Sequence, residues 1–250
     1  MEVHAHAHTE RKKWTHYLWE FLMLFLAVFC GFLAENLREH SIEHQREKQY
    51  ALTLYEDIKS DTAALTESIA DCDYVTARID SFRTMVQTKE LASFSTGTWY
   101  YYGRFGTRTF TIAFQDATIE QLKSSGGLRY FKNHNVVNTI AHYDQARREF
   151  LGQLHLQDLT YNDIIKTRNQ VFNAYYFDEI MKYDISAGKI DSFKQKNMPL
   201  LSTKKEDFIQ YASLCQLRSY NNKSIMISAN QLLENAAALL AELKKEYHLK

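Results

Sequence analysis

The chain has 250 residues, enough for one globular domain with a sizeable core or a modest domain with an anchor. Hydrophobic residues make up 45% and charged residues 24%, which excludes a disordered or collagen-like chain. Thirty basic side chains balance thirty acidic ones, so neither a broadly basic nucleic-acid binder nor an acidic tail protein fits. One proline and eight glycines are too few for the turns of an all-β chain, and the expected fold class is all-α.

Residues 1–13 read as a short cytoplasmic tail in which His4, His6 and His8 alternate with alanine. Three imidazoles there offer either weak transition-metal capture or no role beyond a polar tail. Arg11, Lys12 and Lys13 then precede Trp14, Tyr17 and Trp19, and an unbroken apolar run follows from Phe21 to Ala34. Fourteen residues cover only about 21 Å of helix, but counting from Trp14 gives about 31 Å, the thickness of a hydrocarbon core. The aromatic belt and the adjacent basic cluster predict a transmembrane helix over 14–35. Cleavage after Ala34 would put Phe32 where a small residue is needed, so the segment reads as an uncleaved anchor. The contiguous Arg11–Lys13 cluster, set against Arg38, Arg46 and Lys48 interspersed with glutamates, orients the N-terminus inside. Glu20 is the polar candidate within the span: it either faces the axis of an oligomeric pore or reaches the headgroups beside Trp14 and Tyr17. Ala27 and Gly31 form a small-xxx-small pair that would let two spans approach closely.

Residues 36–250 read as a helical extramembrane domain. No glycine occurs between Gly31 and Gly97, which predicts one very long first helix. Ile58, Leu65, Cys72, Ile79 and Val86 recur every seven residues, with Ile69 between and Thr62, Thr76 and Arg83 diluting the second row. Around Thr96–Gly106, the successive aromatics Trp99, Tyr100, Tyr101 and Tyr102 and the nearby Arg104 lie among glycines and predict an irregular segment. It either lines a ligand pocket or partner surface or plugs the end of a bundle. Asp116 is the expected N-cap of a short helix ended by Gly126 and Gly127; a longer helix follows from about 134 to 181. Residues 184–202 form a polar connector, and Thr203 with Glu206 makes a capping box that opens a last helix to about Tyr247. The outcome is a bundle of about four helices.

His40, Glu43 and His44 match H-x-x-E-H, in which two imidazoles one turn apart can share a zinc ion beside a glutamate base. The surrounding Glu35, Glu39, Glu43 and Glu47 with Arg38, Arg46 and Lys48 make the competing reading a solvated, salt-bridged helical face. No phosphate loop, dinucleotide fingerprint or nucleophile elbow is present, so no catalytic residue and no cofactor are expected. Cys30, Cys72 and Cys215 contain no CxxC pair; Cys72 and Cys215 would be either buried thiols or a disulfide in an oxidising compartment.

Glu20-Phe21-Leu22 through the span to Glu35-Asn36, then Arg46–Tyr50 and Leu54–Ile58, resembles an uncharacterised family of Gram-negative single-pass membrane proteins. In that family a G-E-I-hydrophobic span leads into an E-K-x-Y-x-x-x-L-x-x-D-L element. Thr118–Leu128 is similar to the family's T-F-x-x-L-x-S-S-G-x-L segment, continued at Asn133, Ile140 and Tyr143. The matches cover about half the chain, and the histidine tail, Trp19 and the bulky aromatic span depart from the pattern. The resemblance implies a domain of unknown function on the outer face of the bacterial inner membrane.

The expected function is a non-enzymatic, membrane-anchored scaffold or accessory sensor, with the lipid bilayer, a second copy and a protein at the inner membrane as partners, and no nucleic acid. Its long helix would carry displacement between bundle and span. The alternatives are an ion- or proton-conducting assembly using Glu20 and, more remotely, a zinc hydrolase at His40, Glu43 and His44.

Overall fold

The computed structural model describes residues 14–180 and 187–249; the tail of residues 1–13, with its histidines and basic cluster, lies outside them. Six α-helices and no strand occur among the described residues: α1 (Trp14–Thr88), α2 (Thr96–Gly103), α3 (Ala117–Ser124), α4 (His134–Val171), α5 (Ala187–Lys194) and α6 (Lys205–Tyr247). The chain divides into two units, residues 1–50 and residues 51–250, with α1 contributing to both.

In the first unit every residue of 14–41 is exposed, including Trp14 at 79% and Phe32 at 70%. An 18-residue window there has a mean hydropathy of 2.0 and none of it is buried. Phe21, Phe25 and Phe29 stack along one face with ring centroids 6.3 and 5.9 Å apart. This is a helix long and apolar enough to cross a membrane.

The second unit packs its own core around three helical rows. On α1 beyond residue 50 the buried positions are Ala51, Leu54, Ile58, Asp61, Leu65, Cys72, Val75, Thr76, Ile79, Phe82 and Val86, which apart from Thr76 alternate three and four with one step missing between Leu65 and Cys72. The seven-residue row expected from the sequence is therefore present. Its companion lies three residues on, at Leu54, Asp61, Val75 and Phe82; of the expected positions Thr62, Ile69, Thr76 and Arg83, Thr76 alone is buried. Along α6 the same alternation runs unbroken through Phe208, Tyr211, Cys215, Arg218, Asn222, Ile225, Ala229, Leu232, Ala236, Leu239 and Leu243. α4 buries Val136, Ile140, Tyr143, Arg147, Phe150, Gln157, Ile164 and Val171 in that register and packs along α6. Such spacing keeps one apolar seam facing its neighbours along the whole helix.

The aromatic-rich segment is helical, contrary to the irregular conformation its glycines suggested. Those glycines serve close packing: a Cβ on Gly103 would lie 2.6 Å from the Phe172 ring, and one on Gly106 2.5 Å from the Tyr211 hydroxyl. Trp99 and Tyr100 are fully buried and meet Phe82, Phe172 and Phe208 edge-to-face, each such pair adding about 0.5–1.5 kcal/mol beyond its burial. Their polar atoms are satisfied: the Trp99 indole N–H donates to the Leu91 carbonyl (3.0 Å), and the Tyr100 hydroxyl to that of Pro199 (2.7 Å).

Helix ends differ from expectation for local reasons. α4 stops at Val171 because Phe172 turns extended to bridge Leu200, and the Asn173 side chain accepts from the Tyr175 N–H. The polar connector contains the two-turn α5. At α6 the oxygen that receives a backbone N–H is the Ser202 hydroxyl, bonded to Lys204 at 3.1 Å, and not Thr203. Asp116 does sit at the N-cap of α3, but its carboxylate is turned to Arg147 at 3.2 Å, and Gly126 takes the left-handed φ of 67° beyond the helix end. Cys72 and Cys215 are both buried and free. Burial pushes each thiol up to about 12, so both stay protonated at neutral pH and pack as small apolar groups.

Gly106→Ala should cost about 1–3 kcal/mol, because the added methyl meets the buried Tyr211 and Cys215, whereas Gly152→Ala has nothing within 4 Å and should gain about 0.5–1 kcal/mol. Denaturant melts of the full-length protein and the two variants check the opposite signs. A second expectation concerns Asp80, which ties α1 to α6. Burial raises its carboxyl, but Ser219 (2.8 Å), Lys223 (3.0 Å) and Arg83 (2.8 Å) outweigh that and hold it below the usual range. Its stabilising contribution is present above about pH 4 and disappears as pH falls through the folded-state value. The stability gap between wild type and Asp80→Asn should therefore narrow below about pH 4; a gap that is constant with pH would contradict the assignment.

Candidate cleft between helix α1 and an extended strap

Residues 108–116 connect α2 to α3 without helical structure. They alternate along Arg108, Phe110, Ile112 and Phe114, which are half-buried, against Thr109, Thr111, Ala113 and Gln115, which are exposed. An extended chain throws successive side chains to opposite sides, so this segment lies on the bundle as a single unpaired strap. Two buried side chains hold it. Gln157, 2% exposed, accepts the Phe110 N–H at 2.9 Å and donates its amide to the Phe110 carbonyl at 3.2 Å, doing for one residue what a neighbouring strand would do. Asp61, 4% exposed, accepts the Gln115 N–H at 2.8 Å and the Tyr143 hydroxyl at 3.1 Å. Burial raises the Asp61 carboxyl, and these two donors with Arg147 pull it only part of the way back. Among the described residues no other hydrogen bond reaches the backbone of residues 109–114.

Strap and α1 enclose a cleft of about 500 Å³. Ala64, Glu67, Ser68, Asp71, Tyr74 and Val75 form the α1 wall, three and four residues apart on one face. Arg104, Phe105 and Arg108 close one end. Arg104 is 7% exposed, donates one Nη to the Ile180 carbonyl, and lies over the Phe105 and Tyr101 rings at 4.6 and 5.0 Å. Its Nε and that of Arg108 are buried without a partner, and neither guanidinium has a carboxylate within ion-pair distance among the described residues. Burial lowers the Arg104 pKa, and the charge on Arg108 lowers it further. Burial would raise the Tyr74 phenol, yet the Tyr101 hydroxyl and the guanidiniums of Arg78 and Arg104 outweigh that and lower it.

Of the residues singled out in the sequence, Arg104 alone of the aromatic segment lines this cleft. Trp99, Tyr100 and Tyr101 are core, and Tyr102 is half-buried with the Lys194 ammonium 5.5 Å from its ring centre. Glu20 pairs with His16 at 3.0 Å, one turn back. Ala27 and Gly31 are exposed on α1, and a Cβ placed on Gly31 would meet no other side chain or element within 4 Å. His40 lies 3.7 Å from Glu43, and His44 is within hydrogen-bond distance of Glu47 at 3.2 Å, in each case the glutamate three residues on. No group of three potential metal ligands converges among the described residues. Arg108, Glu67 and Asp71 went unnoticed in the sequence, although Thr109-Phe110-Thr111-Ile112-Ala113-Phe114 carries a period-two alternation that marks extended chain. No protein-family model matches the chain, and no curated protein or solved structure does either.

Gln157→Leu removes both strap bonds at once, with an expected loss of about 1–3 kcal/mol as the Phe110 N–H and carbonyl lose their partners. Hydrogen exchange should accelerate at Phe110 while the α4–α6 seam keeps its protection. Unchanged exchange at Phe110 would mean that Gln157 does not hold the strap.

Proposed function

We propose that the chain is a membrane-anchored, non-enzymatic helical module, a scaffold or accessory sensor whose working part is the bundle of residues 51–250. The observation that carries this reading is the contrast between the two units. Residues 14–41 expose every side chain of an apolar helix, whereas the second unit buries its own apolar rows. Exposed surface of that size and hydropathy is at home in lipid and costly in water. The Arg11–Lys13 cluster supports an N-terminus inside, and the resemblance of the span and of Thr118–Leu128 to Gram-negative single-pass proteins supports the inner membrane with a periplasmic bundle. Self-association through Ala27 and Gly31 and a protein partner at the membrane belong to the same proposal. The contact between the His16 imidazole and the Glu20 carboxylate at 3.0 Å favours the anchor over the pore, because the carboxylate finds its partner within its own helix, next to Trp19.

Expressed at full length in a Gram-negative host, the protein should stay in the membrane pellet through alkaline carbonate washing. Protease should digest the bundle only after the outer membrane is opened. Release by carbonate would overturn the anchor, and digestion only from the cytoplasmic side would reverse the orientation. Glu20→Gln should leave membrane retention and solubilised mass unchanged; loss of a conductance in reconstituted vesicles would favour the pore.

A further inference from the structure

We propose that the cleft between α1 and the strap binds a short unblocked peptide of two or three residues, its C-terminal carboxylate on Arg104 and Arg108 and its N-terminal ammonium on Asp71 or Glu67. This goes beyond the anchored-module reading and does not depend on which membrane holds the anchor.

Three features specify the ligand. The first is the arginine pair. A buried guanidinium without a counter-ion is costly, and the molecule pairs Arg147, equally buried, with Asp116 at 3.2 Å and Glu120 at 3.9 Å. Among the described residues, Arg104 and the half-buried Arg108 have no such carboxylate, and both line the cleft. A carboxylate arriving there gains charge-assisted, fork-shaped hydrogen bonds that water supplies poorly at a half-enclosed site.

The second feature is the acidic wall. Glu67 and Asp71 are exposed, one helical turn apart, and neither has an ion pair or side-chain hydrogen bond among the described residues. Arg104 lies 4.6 Å from the centre of the Phe105 ring, which meets the Tyr74 ring edge-on at 6.0 Å, and this places the cation near the Tyr74 level of α1. At 1.5 Å per residue, Asp71 lies about 4.5 Å and Glu67 about 10 Å further along the helix axis. An extended chain spans about 3.3–3.6 Å per residue, so the two ends of a di- or tripeptide match this separation of charge. A single α-amino acid is too short to reach from the arginines to Glu67. A phosphate dianion would meet two carboxylates on the opposite wall with nothing to offer them.

The third feature is the strap. Its backbone between Thr109 and Phe114 is extended, and apart from the Gln157 clamp on Phe110 it makes no hydrogen bond among the described residues. Such an edge can pair with the backbone of a peptide lying along it, the mode by which sheet edges capture extended segments. The volume of about 500 Å³ suits a ligand of this size, and Val75, Phe105 and Ile112 give its side chains an apolar lining.

The test is calorimetric titration of the full-length protein in nanodiscs with dialanine, trialanine and trivaline. Comparison ligands are N-acetyl-trialanine, trialanine amide, alanine and inorganic phosphate. At least one unblocked peptide should bind saturably, and blocking either end should weaken it at least tenfold. Arg108→Gln should abolish binding. Glu67→Gln combined with Asp71→Asn, two exposed changes that leave the core untouched, should weaken unblocked peptides at least fivefold while leaving N-acetyl-trialanine unaffected. If Arg108→Gln does not fold, as judged by its melt, the acidic double variant decides alone. The proposal is overturned if none of the three peptides binds, if alanine or phosphate binds as well as the peptides, or if the acidic double variant binds peptides like the wild type.

Discussion

Three long helices share one register, and the arrangement of residues 51–250 follows from keeping it. Rows that alternate three and four residues on α1, α4 and α6 hold a seam in the bundle interior over many turns, so no sheet or disulfide is needed to close the core. The rows change character along their length. Toward α2 they lead into Phe82, Phe172, Phe208 and Tyr211, of which Phe172 leaves no room for a Cβ at Gly103 and Tyr211 none at Gly106. Toward the far end of α6 they carry Leu232, Ala236, Leu239 and Leu243, small and regular enough for helices to lie against each other without a plug. On the second row of α1 the polar Asp61 and Ser68 interrupt the apolar sequence. There the row turns from its helical neighbours toward the strap: Asp61 still meets Tyr143 of α4 but also holds Gln115, and Ser68 lines the cleft. The cleft is the place where the seam lapses.

Much of this could be read in the amino-acid sequence, because helical periodicity and scarce turn residues act locally. The all-α class, the apolar span and the long first and last helices all came from such signals. What escaped was decided by distant partners. The second row of α1 was misplaced by one residue because Asp61 and Ser68 look like surface positions until Tyr143, Gln115 and the strap are brought against them. The glycines around Trp99 suggested an irregular segment because sequence does not distinguish a glycine needed for φ from one needed for space. Arg108 was passed over for a similar reason: a lone arginine in a threonine-rich run looks solvated, and its Nε is buried only because the strap lies flat on the bundle.

The buried arginines show how far geometry can separate roles that composition cannot. Arg147 meets Asp116 and Glu120 and fastens α4 to the start of α3. Arg218 is completely buried on the seam of α6 and donates to the Gln157 carbonyl at 3.2 Å, while its Nε and Nη1 find no acceptor; burial lowers its pKa. One turn on, Asn222 gives its side-chain amide to the Thr76 hydroxyl at 3.1 Å, and its backbone carbonyl accepts from the Cys72 thiol at 3.6 Å. These two polar seam positions therefore tie α6 to α4 and to α1 at one height. Sliding α6 by a turn would bury both without partners, a penalty of several kcal/mol that apolar positions would not impose. Polar residues at such positions are known to select register at the expense of stability. Arg104 and Arg108 cannot serve that purpose, since they lie off the seam on a short helix end and a strap, where no alternative register exists to be excluded. Arg104 gives one Nη to the Ile180 carbonyl and lies over the Phe105 and Tyr101 rings, but neither it nor the half-buried Arg108 meets a carboxylate among the described residues, and a carboxylate from outside the chain would complete that end of the cleft.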